Sequence, residues 1–177
     1  MPSQTSPRTA ARKTTARKTT ARRPTTKTPD AIALLRADHK KVADLFDQFD
    51  KARSASRKRD IVAQICLELT VHAQIEEEIL YPEVQAALKD KELVPEARVE
   101  HQSIKDLIAA VQGVEPDGEA YDAKVTVMGE WVKHHVKEEQ NEMFPKARQS
   151  RLDLVEMGER LQHRKEELMA EQLQQRH

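Results

Sequence analysis

Beyond residue 30 the core-forming positions fall three and four apart, the repeat of one face of an α-helix. Four segments carry this pattern. The first runs Ile32, Leu35, His39, Val42, Phe46, Phe49, and the second Val62, Ile65, Leu69, His72, Glu76, Ile79. The third runs Val94, Ala97, His101, Ile104, Ile108, Val111, and the fourth Tyr121, Val125, Met128, Val132, His135, Glu139. Breaks are expected at Arg53-Ser54-Ala55-Ser56, near Lys89-Asp90, and from Gly113 to Gly118, where Pro116-Asp117-Gly118 is a strong turn signal. Thr28-Pro29-Asp30 reads as a helix start with Asp30 near the N-cap. A fifth, charged amphipathic segment over about 152–174 is expected to pack on the outside. Pro82 and Pro145 are expected to kink or end their helices.

Every seam contains polar side chains where a bundle should carry leucines. Two of them place a glutamate four residues after a histidine, as His72…Glu76 and His135…Glu139. Residues so spaced share a helix face, so imidazole and carboxylate aim at one point. The chain also repeats internally. A shift of 63 residues superposes His72 on His135, Glu76 on Glu139, Tyr81 on Phe144 and Pro82 on Pro145. His39 precedes His72 by 33 residues and His101 precedes His135 by 34. Each half is thus a helical hairpin with one lone histidine and one His-x-x-x-Glu. Two such hairpins predict an all-α fold, an antiparallel up-down four-helix bundle with near-twofold ligand placement and an extra C-terminal helix.

Any one of these histidines has a structural explanation, since a core imidazole is commonly satisfied by a neighbouring carbonyl. The glutamates do not. An ionised carboxylate in a core costs on the order of several kcal/mol unless it is paired. Two seam glutamates beside four seam histidines therefore point to bound metal. Imidazole with carboxylate suits iron, zinc, manganese or copper(II). Cys66 is the only cysteine, so a thiolate zinc site is excluded. Four histidines and two glutamates exceed the needs of one tetrahedral ion and suit two ions with bridging carboxylates. The ferritin-like Glu-x-x-His pattern is absent, because no histidine follows a glutamate by three.

Asp38-His39, His72-x-x-x-Glu76-Glu77-x-x-Leu80-Tyr81-Pro82, Glu100-His101 and His135-x-x-x-Glu139-x-x-x-Met143-Phe144-Pro145 together resemble the hemerythrin-like HHE cation-binding domain over about residues 30–150. The resemblance implies a non-haem, oxo- or hydroxo-bridged di-iron centre held by His39, His72, Glu76, His101, His135 and Glu139. It departs from the oxygen carriers, which place a second histidine four residues into the third segment. Lys105 stands there instead, leaving more positions for water, oxygen, peroxide or nitric oxide. The repeat and the Met128–Val132 seam select His135 with Glu139 over the adjacent His134 with Glu138. His134 is expected in the outer surroundings or at the surface, and Glu77 in solvent, with reach to the metals through a shift as its alternative. Asp38 and Glu100 are candidates for hydrogen bonds near the centre. Tyr81 and Phe144 are expected to wall off the bundle end, and Trp131 to pack against the fifth helix. His163 and His177 are expected at the surface.

Composition sharpens this picture in two ways. The four glycines and six aromatic residues fit a helical protein better than a sheet. The net charge of zero hides a division: residues 1–29 hold eight Lys/Arg and no acid, leaving 22 basic against 30 acidic residues in 30–177. The tail repeats Ala-Arg-Lys-Thr-Thr at residues 11–15 and 16–20 and a variant at 21–26. With little apolar bulk and like charges it is expected to be disordered, ahead of one domain over 30–177. Arg12, Lys13, Arg17, Lys18, Arg22 and Arg23 are candidates for weak, nonspecific nucleic-acid contacts. No interleaved aromatic supports base stacking. A mitochondrial-type leader is an alternative for this segment, weakened by the lack of an apolar face. No signal peptide or membrane span is visible, so the expected location is cytoplasmic, with no membrane partner.

The leading expectation is a protein that uses two iron ions to bind, sense or detoxify small oxidants. Peroxidase- or catalase-like turnover at that centre is a second reading. An iron buffer anchored to nucleic acid by its tail is a third.

Overall fold

The computed structural model describes residues 29–175. The basic tail, with its expected disorder and its candidate nucleic-acid-binding residues, lies outside the described residues, as does His177. The described chain forms α1 (Ala31–Lys51), α2 (Ala55–Ile75), α3 (Tyr81–Leu88), α4 (Leu93–Val111), α5 (Glu119–Glu138), α6 (Phe144–Gln149) and α7 (Leu154–Gln174). Two π-helical turns, Glu76–Leu80 and Glu139–Met143, join α2 to α3 and α5 to α6. Each rod thereby runs on past its expected end. The prolines occupy the first turns of α3 and α6, directly after the widened turns, where a missing N–H is least costly.

The starts and stops follow local chemistry. Asp30 accepts from Ala33 N at 2.8 Å and Ser54 from Arg57 N at 3.2 Å, capping α1 and α2. Asp90 accepts from the N–H groups of Glu92 and Leu93, both at 2.9 Å, at the head of α4. Lys89 ends α3 in the left-handed region at φ 52°, and Gly118 opens α5 at φ 122°. Asp153 caps α7.

α1 packs along α2 and α4 along α5, while α2 meets α4 and α5 meets α1, closing a four-rod ring. Its interior divides into two apolar clusters. One contains Leu35, Ile75, Leu80, Tyr81, Met143 and Phe144. The other contains Val42, Ile65, Leu69, Ile104, Val125, Met128 and Val132. The seam histidines and glutamates belong to neither and are buried. No helix among the described residues is long and apolar enough to cross a membrane.

α7 packs on the outside as expected, against α1, α2 and the first π turn. It lies away from Trp131, which is 41% exposed on α5 and meets the His134 ring edge-on at 6.3 Å. The expectation that Trp131 packs against this helix is therefore corrected. α7 closes on the α1–α2 hairpin, where Met157, Leu161 and Leu168 join the first apolar cluster. Gly158 permits its closest approach, since a Cβ there would stand 2.5 Å from Pro29 O and 2.8 Å from Ala31 N. A Cβ on Gly129 would meet only the Phe46 ring, at 3.2 Å.

This contrast is testable. Gly158→Ala is expected to lower stability by about 1–3 kcal/mol, because backbone must move. Gly129→Ala is expected to change it by less than about 1 kcal/mol, the Phe46 side chain yielding while helix propensity improves. Urea unfolding of both variants measures this. Equal losses would contradict the described docking of α7.

Candidate metal centre

The six seam residues named from the sequence are brought together. His39, His72, His101 and His135 are 6%, 6%, 2% and 3% exposed, and Glu76 and Glu139 are 0% and 2% exposed. His39 comes from α1, His72 from α2, His101 from α4 and His135 from α5, while the glutamates begin the two π turns. The widened turns carry i→i−5 bonds, Tyr81 N to Glu76 O and Phe144 N to Glu139 O. Such insertions are frequent at functional sites.

Two donor groups result. In the first, His39, His72, Glu76 and Glu139 each offer one ligand atom, all within 4.8 Å of one another; in the second, Glu76, His101 and His135 do the same. The Nε2 atoms of His39 and His72 are 3.0 Å apart, as are those of His101 and His135. Glu76 faces both groups, with Oε1 3.1 Å from His72 Nε2 and Oε2 3.3 Å from His101 Nε2. Glu139 Oε2 is 3.3 Å from His39 Nε2 and 3.6 Å from His135 Nε2. Donors around one ion at bond lengths of ~2.1 Å stand roughly 3.0–3.4 Å apart, and the separations among His39, His72, His101 and their nearest partners fall in that range, while His135 Nε2 is 3.6 Å from Glu139 Oε2 and 4.0 Å from Glu76 Oε2.

In His101 and His135 the outer ring nitrogen fixes the inner one. His101 Nδ1 is 2.9 Å from Glu77 Oε1, and His135 Nδ1 is 2.8 Å from Glu100 Oε2. Each Nδ1–H donates to a carboxylate, leaving an Nε2 lone pair directed inward. His72 Nδ1 faces Asp38 Oδ2 at 3.6 Å without a hydrogen bond, and His39 Nδ1 accepts from the Gln140 amide N–H at 3.0 Å. At 3.0 Å each Nε2–Nε2 pair is within hydrogen-bond reach when one ring keeps a proton there, and a cation can replace that proton. Glu76 Oε1 and Glu139 Oε2 are buried without a hydrogen bond, although imidazoles stand close by. Donors that approach each other without aligning share an external target, and the chemistry of these residues fits a metal.

The electrostatics hold an anion at the centre together with a proton that a bound metal would displace. Burial alone would raise the Glu76 pKa, but His72 and His101 outweigh it and hold the carboxyl well below its ordinary range. Burial likewise opposes charge on His72, yet Glu76 and Asp38 push its pKa up to about 10. Glu76 is thereby kept an anion at neutral pH, the form that ligates cations.

Several contributors escaped the periodic reading. Tyr81 is more than a wall. Its hydroxyl donates to Glu139 Oε1 at 2.9 Å and stands 3.3 Å from Glu76 Oε2 and 3.0 Å from His101 Nε2. The π turn brings a residue five positions after Glu76 onto the face where four would be counted. Phe144, its repeat mate, stacks on the His39 ring at 5.9 Å with 5° between planes. Glu77 is not simply solvated: it bonds His101 and accepts from Lys105 Nζ at 2.7 and 2.8 Å. Lys165 of α7 pairs with Asp38 behind His72. Asp38 and Glu100 do sit behind seam histidines as expected. His134 is half-exposed, apart from the six, and His163 is a surface residue paired with Glu167.

Helical bundles with inward histidines and carboxylates form a class of metal-binding domains. The hemerythrin HHE cation-binding domain family matches residues 30–147, and the chain belongs to it. It is therefore a metal-binding protein of a family whose metal is iron. A crystal structure of a hemerythrin HHE cation-binding domain-containing protein from Mycobacterium kansasii has the same fold, with a TM-score of 0.72. That match is 21% identical and covers 82% of this chain and 90% of that one. A protein of Nostoc sp. (strain PCC 7120) described as a DNA nickase is 28% identical over 111 residues. The aligned part is 63% of this chain and only 31% of that protein.

Replacing Glu76 and Glu139 together by Gln keeps shape and removes both anions. Bound metal is expected to fall below about a tenth of the wild-type content. Metal at a hundredfold excess over its dissociation constant stabilises the wild type by about 2.7 kcal/mol, and the variant should gain nothing. Thermal melts with and without metal measure this, and an equal gain in both would contradict the assignment.

Proposed function

We propose that the centre holds two iron ions bridged by Glu76 and that the protein binds and detoxifies small oxidants, of the class of dioxygen, peroxide or nitric oxide. The observation that carries this reading is the placement of the two Glu76 oxygens, one toward each pair of histidines. His39, His72 and Glu139 would complete one position, and His101 and His135 the other. Six side chains do not fill two octahedral shells, so sites remain for a small ligand. Iron, when bound, supplies the electron transfer that no side chain here provides.

The surroundings select what reaches it. A cavity of about 20 Å³ adjoins the four histidines, walled by Val42, Leu69, Ile104, Ile108, Val132 and Val136. That volume suits one or two water-sized groups and excludes organic substrates. Imidazoles bind a cation in their uncharged form, so two carboxylates would leave a pair of divalent ions with surplus positive charge, which favours anionic oxygen species. Tyr81 holds a proton beside the centre. Burial first, then Glu139 and Glu76, keep its pKa well above the ordinary phenol value. Its O–H thus stays a donor at physiological pH, fixed toward Glu139.

Anaerobic loading with iron(II) is expected to give about two iron per chain, as for other paired-metal sites. Oxidation should produce a visible absorption band that reduction removes. Peroxide consumption should exceed that of free iron, and His135→Ala should abolish the excess. Less than one iron per chain and no colour would refute the reading.

A second reading draws on the basic N-terminal sequence and on the similarity to the protein described as a DNA nickase. In it the bundle associates with nucleic acid through the tail, as an iron-buffering protein. Gel shifts would compare the full chain with a variant carrying Gln at positions 12, 13, 17, 18, 22 and 23. Binding by the wild type should weaken with salt, with a log–log slope no steeper than about −7. Equal binding by both proteins removes this reading.

A further inference from the structure

The internal repeat exposes an imbalance outside the centre. Asp38 and Glu100 play matching parts, one behind His72 and the other behind His135. Behind Asp38 stands a cation, Lys165 of α7. Behind Glu77, the carboxylate serving His101, stands another, Lys105. Behind Glu100 there is neither. Among the described residues no lysine or arginine forms a salt bridge with Glu100 or with its neighbour Glu138. The asymmetry arises from α7. It covers the α1–α2 hairpin and buries Val71 and Ile75. The positions 63 residues later are His134 and Glu138, on a face of α5 that no helix covers.

We propose that Glu100, His134 and Glu138 form a second, solvent-facing site for a divalent cation of the zinc class. One ligand atom from each lies within 4.8 Å of the others. His134 Nε2 is 3.1 Å from Glu138 Oε1 and 3.3 Å from Glu100 Oε1. Those distances match the edges of a tetrahedron with ~2.0–2.1 Å bonds, roughly 3.3 Å, and water takes the fourth corner. One nitrogen with two carboxylate oxygens suits zinc and its neighbours rather than calcium or magnesium.

The site is built as well as placed. Glu100 is 9% exposed and anchored through its other oxygen to His135 Nδ1 at 2.8 Å. Trp131 meets the edge of the His134 ring and orients it. Glu96 adds further negative charge beside Glu138. The cation would do for Glu100 what Lys165 does for Asp38. It would also link the outer site to the centre through one shared carboxylate. This site stands on its own geometry and does not depend on the di-iron reading.

The test is calorimetric titration of the iron-loaded full chain with zinc(II), with iron content measured on every sample. The wild type is expected to bind one zinc per chain while retaining its iron. His134→Ala and Glu138→Gln, both at solvent-facing positions, should each weaken that binding at least tenfold and leave iron content unchanged. Wild-type protein that binds no zinc overturns the proposal. So does zinc uptake equal in the wild type and both variants, or uptake that only tracks iron loss.

Discussion

Glu76 is a carboxylate with no exposure to solvent, set between two pairs of imidazoles. Much of the bundle's design follows from keeping it there. A lone buried anion would destabilise the fold by several times a typical hydrogen bond, on the order of several kcal/mol. Four histidines from four rods and the Tyr81 hydroxyl are what make the position tolerable. Two apolar clusters flank it. A low local dielectric strengthens each remaining interaction and makes an incomplete set expensive. The centre is therefore both a structural liability and a strong cation trap.

Two widened helical turns reconcile this demand with continuous rods. Each begins at a seam glutamate and hands on to a proline-started helix. The chain turns farther at these points than in a regular α-helix, so the following aromatic swings in toward the centre. In one half that aromatic is Tyr81, which hydrogen-bonds the ligands, and in the other it is Phe144, which stacks on His39. The halves are alike in ligands and unlike in proton supply. α7 deepens the difference by covering one hairpin and leaving the other open. A near-symmetric repeat has thus become an asymmetric site.

The fold and the inner donor set were legible because both are written in helical spacing. All six seam histidines and glutamates converge, and the caps at Asp30 and Ser54 stand where turn chemistry puts them. What escaped was whatever departs from that spacing or comes from far along the chain. The π turn moved Tyr81 onto the ligand face. Lys165 reaches Asp38 across 127 residues from a helix whose docking side no periodicity specifies. That same docking left Trp131 at the surface. Glu77 reads as a solvated surface acid until Lys105 and His101 are seen to converge on it.

Glu76 is proposed to lie between two ions. Anomalous diffraction at the iron edge from iron-loaded crystals tests it most directly. The account predicts two peaks about 3.5–4 Å apart, the spacing of paired-metal sites, with one Glu76 oxygen facing each. A single peak, or two peaks with Glu76 turned away from one of them, would contradict it.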